Sequence, residues 1–149
     1  MAKTIFITGA SRGFSRIWTE AFLKRGYNVV AAIRNPETLT ELTKDFSSNL
    51  WVLKLDVTDK KASFDAVETA KTHFGRIDVL INNAGYRHIG AVEELNEQDV
   101  RAQLETSVLG SLWTIQAVIT KKPELFCVNP NISRVIFNHS PNLIISHSF

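Results

Sequence analysis

Apolar residues follow two rhythms along this chain: short unbroken runs, and longer stretches in which they recur every third or fourth position. Thr4 to Thr8 is β-branched and aromatic and closes on Gly9, which predicts a buried strand. Behind it Phe14, Ile17, Trp18, Ala21 and Phe22 recur at helical spacing, and Gly26 follows Lys24-Arg25 as a stop signal. Asn28 to Ile33 predicts a second strand, Pro36 opens a helix over Glu37 to Lys44, and Trp51 to Leu55 predicts a third strand. Asp59 is placed to cap a helix that carries Phe64, Val67, Ala70 and Phe74 on one face and ends at Gly75. A fourth strand, Ile77 to Ile81, stops at Asn82-Asn83-Ala84-Gly85. From about Glu97 to Lys121, Val100, Leu104, Val108, Leu112, Ile115 and Ile119 line one side of a single long helix.

Strands that are apolar throughout, alternating with helices, imply a parallel sheet covered on both faces. Right-handed crossovers make it a Rossmann-like, doubly wound α/β fold with strand order 3-2-1-4, ending after the fourth strand or in an irregular fifth. Such sheets bind ligands beyond the carboxyl ends of their strands. Thr8-Gly9, Arg34, Asp56-Val57 and Asn82 to Gly85 all fall at that edge.

At 149 residues the chain suits one domain, but its composition breaks near Pro123. Residues 123–149 hold three of the four prolines and only Glu124 and Arg134 as charges, so we expect a dinucleotide-binding unit over 1–122 and an atypical tail over 123–149. The net charge of +2 is scattered, without the basic stripe that nucleic acid requires. Cys127 stands alone, which excludes an internal disulfide and fits a reducing compartment. No long apolar stretch follows Met1, so we expect a cytoplasmic protein without signal or membrane span.

The run Thr8-Gly9-Ala10-Ser11-Arg12-Gly13-Phe14-Ser15 joins the first strand to the first helix. A helix starting there aims free N–H groups and a positive dipole end at whatever lies above the turn, which favours a phosphate. Alone, the run reads equally well as an ordinary turn. It resembles the T-G-x-x-x-G-x-G loop of short-chain dehydrogenases/reductases; Asn82-Asn83-Ala84-Gly85 resembles that family's N-N-A-G, and Leu55-Asp56-Val57 its adenine-contacting D-V. The resemblance covers roughly residues 3 to 120. It implies that Gly9 and Gly13 let the backbone approach, and that Ser11, Arg12 and Phe14 touch phosphates and ribose through their backbone. It further implies that Asp56 and Val57 bind the adenine, and that Asn83, Ala84 and Gly85 floor the ribose and nicotinamide. Ser15 replaces the family's last glycine. Its extra CH2OH is expected either to crowd the cradle, at about 1–3 kcal/mol, or to cap an orphan N–H; weakened binding is favoured over abolished binding.

Dinucleotide sites that take NAD carry an acid at the end of the second strand. Here Arg34 stands there, and Arg12 in the glycine loop faces the same region. Guanidinium groups fork onto phosphate, so we expect NADP rather than NAD; otherwise both arginines are solvated surface charges.

The resemblance also implies a Tyr-x-x-x-Lys pair as proton donor. The two tyrosines, Tyr27 and Tyr86, have Ala31 and Gly90 four residues on, so no catalytic residue is assigned. Ser107 replaces the asparagine of the family's N-V-x-G segment. Arg134 to Phe137 or Leu143 to Ile145 would serve as strand five, with Ser140 or Ser146 as the family serine, and His88 and Trp113 are expected to be packing or surface residues. We therefore expect the cofactor-binding portion of an NADP-dependent oxidoreductase acting on a carbonyl or alcohol, truncated or frame-shifted after about residue 120, or a splice form with its own ending. The competing class is a catalytically silent nucleotide-binding or interaction module. A second copy would dock on helix 97–121, and strand four would be an exposed edge unless the tail or another chain covers it.

Overall fold

The first strand is buried on both faces, and that decides the layout around it. In the computed structural model, which describes residues 2–86, 91–120 and 126–128, all five residues of β1 (Thr4–Thr8) are buried. β2 (Asn28–Ile33) pairs with one side of β1 and β4 (Val79–Asn82) with the other, both parallel. β3 (Leu50–Lys54) extends the sheet beyond β2, and β5 (Phe126–Val128) pairs with β4. The order β3-β2-β1-β4-β5 is the expected doubly wound half-sheet with a short fifth strand added. That strand lies at 126–128, while the segments expected to form it, 134–137 and 143–145, lie outside the described residues. The edge of β4, expected to be open unless the tail covers it, is covered by the tail through β5.

Alternation along the strands divides the core into two layers. Phe6, Val30, Ala32 and Leu80 face the layer closed by α3 (Lys60–Phe74) and, further along the chain, by α5 (Gly110–Ile119). Ile5, Ile7, Val29, Ala31, Ile33 and Ile81 face the layer that holds Leu23 of α1 (Gly13–Lys24) and Leu42 of α2 (Thr40–Asp45). Asp59 caps α3 by accepting from the Ala62 amide at 2.9 Å, and Gly75 ends it with φ at 78°, as the spacing predicts. A 3-10 turn, Pro36–Leu39, precedes α2, with Asn35 accepting the Glu37 amide.

Two predicted faces are corrected. α1 buries Ser15, Thr19 and Leu23, whereas Phe14 and Ile17 are 74% and 61% exposed. Small side chains at i and i+4 bring the helix close to the sheet, and bulky residues cannot occupy that seam. The long helix is also not a single regular one. α4 (Glu97–Leu104) runs into a π-helical turn, Glu105–Leu109, and then into α5. One extra residue in a turn rotates everything downstream by about 100°. Val100, Leu104 and Val108 therefore lie exposed, while Gly110, Ser111, Thr114, Ile115 and Val118 face the sheet.

α5 seats tightly because its inner face is small and polar. A Cβ on Gly110 would lie 2.7 Å from Val57 Cγ2, so only glycine fits without displacing that side chain. Thr114 donates to Asn82 Oδ1 at 2.6 Å, and the Asn82 amide donates to the Ser111 carbonyl at 3.4 Å. The Lys71 ammonium donates to the Ala117 and Val118 carbonyls near the end of α5, where a cation complements the helix dipole. Replacing Thr114 by valine keeps the shape but removes the donor to a side chain only 1% exposed. Thr114→Val should lose about 1–3 kcal/mol of stability, read as a lower urea midpoint at unchanged slope. An unchanged midpoint would show that this bond contributes nothing.

Candidate functional site

The carboxyl ends of β1, β2 and β4 are knotted together around Gly9. Its φ of 71° is left-handed, and a Cβ there would sit 2.9 Å from Ala84 Cα, so two chain segments approach closer than any side chain allows. The buried Thr8 hydroxyl accepts from the amides of Asn83 at 3.1 Å and Ala84 at 3.0 Å. The Gly9 amide donates to Ala32 at 2.9 Å, and the Gly9 carbonyl accepts from Asn83 Nδ2 and from Ser15 Oγ. α1 begins immediately beyond. Its N-cap, Arg12, is extended, offers no side-chain cap, and the first turn contains no acid. The positive end of that helix is therefore not neutralised from within its own first turn.

Above this knot lies a cleft of about 1020 Å³. Every residue expected to hold a cofactor lines it: Gly9, Ser11, Arg12, Gly13 and Phe14 from the first loop, Arg34 from the end of β2, Asp56 and Val57 after β3, and Asn83, Ala84 and Gly85 after β4. Arg12 and Arg34 are exposed on its wall. The Asp56 carboxylate is held in a local turn, accepting from the Thr58 amide at 3.0 Å and the Thr58 hydroxyl at 2.8 Å. Arg16, one turn further along α1 from Arg12, is instead tied to Glu20 and to the Thr38 carbonyl.

Ser15 behaves differently from either expectation. It is fully buried and absent from the cleft wall, so it does not crowd the space above the turn. Nor does it cap an amide: its hydroxyl donates to the Gly9 and Arg12 carbonyls at 2.7 and 2.9 Å. Sequence reasoning missed Asn35, Thr38, Thr58, Gln103 and Thr106, all of which line the cleft. Gln103 comes from the end of α4 and Thr106 from the π turn that follows, which sequence periodicity does not announce; Ser107, noted as a departure from the family's asparagine, reaches the cleft from the same turn. Tyr86 lines the cleft and is 42% exposed, whereas Tyr27 packs on Phe22, with ring centroids 6.1 Å apart. Trp113 lies under the Lys60 ammonium at 4.4 Å, and His88 is outside the described residues. Among the described residues no cluster of three His, Cys, Asp or Glu side chains is placed to hold a metal, and no helix is long and apolar enough to cross a membrane.

Comparison with known proteins agrees with this geometry. The family model for the short chain dehydrogenase matches residues 3–125. Oxidoreductase BOA17 of Botryotinia fuckeliana is 42% identical over 120 residues, which cover 80% of this chain and 44% of that protein. A short-chain dehydrogenase from Streptomyces avermitilis superposes with a TM-score of 0.83 at 32% identity, covering 87% of this chain and 49% of the other. ElxO, solved with NADP bound, superposes with a TM-score of 0.78 at 30% identity, covering 87% and 55%. The chain thus spans about half the length of the relatives it matches, from 44% to 55% in these three. A glycine turn clasped to the end of β4, a cleft walled by three separate motifs, and a family match over most of the chain lead to one conclusion: the chain belongs to the short-chain dehydrogenase/reductase family.

Proposed function

We propose that the cleft binds NADP(H), and that residues 1–122 form the cofactor-holding part of an oxidoreductase acting on a carbonyl or alcohol. One observation carries this reading: Arg12 and Arg34 open onto the same cleft, beside the unneutralised start of α1, with an arginine where NAD sites place an acid. In this reading the two guanidinium groups hold the 2′-phosphate, and the amides of Ser11, Arg12 and Phe14 meet the pyrophosphate. Gly9 and Gly13 give the backbone room to approach. Asp56 and Val57 bind the adenine edge, while Asn83, Ala84 and Gly85 support the far ribose and the nicotinamide. The bound cofactor supplies the hydride chemistry; the chain supplies grip and orientation. Asn35 and Thr38 join the 2′-phosphate corner from the start of the next helix.

Each arginine is worth one or two charge-assisted bonds, about 1.5–3 kcal/mol. Arg34→Ala and Arg12→Ala should therefore each weaken NADPH binding by about 10- to 100-fold while changing NADH binding little, as measured by fluorescence titration. Equal affinity of the wild-type chain for NADPH and NADH would remove the assignment of the phosphate corner.

The absence of a Tyr-x-x-x-Lys pair from these 149 residues favours a second reading, a nucleotide-binding module without turnover. Incubated with NADPH and a panel of ketones and aldehydes, the chain should show saturable quenching and no oxidation of NADPH. Sustained oxidation would restore the enzyme reading for this chain.

The partner surface we propose is the exposed stripe Val100, Leu104 and Val108, 40–52% accessible and continuous along α4 and the π turn, on which a second copy docks. Leu104→Glu should shift a dimer toward monomer in light scattering, and an unchanged mass would locate the contact elsewhere. The reducing cytoplasm is the compartment that suits a chain with one thiol.

A further inference from the structure

Ser15 is the one departure from the family loop whose side chain the fold fully encloses. Its single hydroxyl hydrogen is shared between the carbonyls that begin and end the loop, Gly9 at 2.7 Å and Arg12 at 2.9 Å. The only other described side chain on the Gly9 carbonyl is Asn83 Nδ2, at a long 3.4 Å. Gly9 is also a residue of positive φ, with no side chain of its own to resist rotation of the adjoining peptide.

We propose that Ser15 is a positioning residue for anion binding, holding the Gly9–Arg12 turn in its receptive shape from beneath. A peptide carbonyl that swung toward the cleft would present its negative end to a phosphate. Anchored on Ser15, the Gly9 carbonyl stays on the interior side, and the following N–H lies on the opposite side of the planar peptide. The second bond, to Arg12, ties the N-cap of α1 to the same hydroxyl, so the loop and the helix start move as one body. Binding then meets a turn that is already ordered, which lowers the conformational cost of association. The serine is thus a strut under the cradle, the reverse of the obstruction its larger size suggests.

This proposal rests on the NADP(H) reading above, and its test separates the two. Wild type, Ser15→Ala and Ser15→Gly are titrated with NADPH and with adenosine 2′-monophosphate, which reaches the arginine and adenine corners but has no pyrophosphate. Melting temperatures are taken on the same samples without ligand. Both variants should bind NADPH about three- to tenfold more weakly, the loss of one shared hydrogen bond, with adenosine 2′-monophosphate unaffected. NADPH affinity unchanged in folded variants, or both ligands weakened alike, overturns the role of Ser15 while leaving the site itself intact. Loss of the folded state in both variants marks Ser15 as a packing residue and overturns it as well. Should wild type bind neither ligand, the reading of the site fails, and this proposal with it.

Discussion

The close approach of Gly9 to Ala84 is the constraint on which the rest of the structure depends. Two loops that leave neighbouring strands must cross within 2.9 Å of where a side chain would begin, so one of them has to be glycine. The Thr8 hydroxyl then takes two amides from the opposite loop, and the Gly9 amide and carbonyl bond to Ala32 and to Asn83 and Ser15. A backbone crossing this tight satisfies its polar groups largely through neighbouring side chains, those of Thr8, Asn83 and Ser15. The result is an edge where the ends of three strands are tied together, and the cleft is built on it.

The opposite wall of the cleft is made by a helix that changes phase. Had α4 and α5 been one regular helix, the apolar stripe from Val100 to Ile119 would have packed as a unit. The π turn at Glu105–Leu109 divides the helix instead. Upstream, the apolar residues stay at the surface; downstream, Gly110 and Thr114 press against Val57 and Asn82. The same widening brings Thr106 and Ser107 to the cleft. A helical insertion of one residue thus links a packing requirement, the glycine contact with Val57, to the composition of the site.

The strands were legible in the sequence because burial on both faces leaves a pattern with no competitor: Thr4–Thr8 and Asn28–Ile33 fall where their residues predict. Motif positions were legible for a related reason, since a ligand edge in this topology lies where strands end. Helix faces were not, and the reason is chemical. On α1 the seam against the sheet is filled by Ser15 and Thr19, which hydropathy assigns to solvent, while Phe14 and Ile17 look buried and are exposed. Polarity mispredicts burial wherever close approach demands a small side chain. The strand at Phe126–Val128 was not legible because three residues carry too little pattern to stand out.

The electrostatics of the cleft follow from what its elements lack. α1 has no acid in its first turn, β2 is followed by Arg34 and not by a carboxylate, and the acid on the cleft wall, Asp56, has one oxygen engaged by Thr58. A positive helix end, two guanidinium groups and a partly satisfied carboxylate leave the first-loop side of the cleft cationic. Arg16 shows that such a bias is not inevitable at this position of the fold: one turn on, its guanidinium is already occupied by Glu20 and the Thr38 carbonyl. The fold therefore distinguishes an arginine that braces the 3-10 turn before α2 from arginines that face the cleft. That distinction, more than the count of basic residues, leaves the guanidinium groups of Arg12 and Arg34 on the cleft wall.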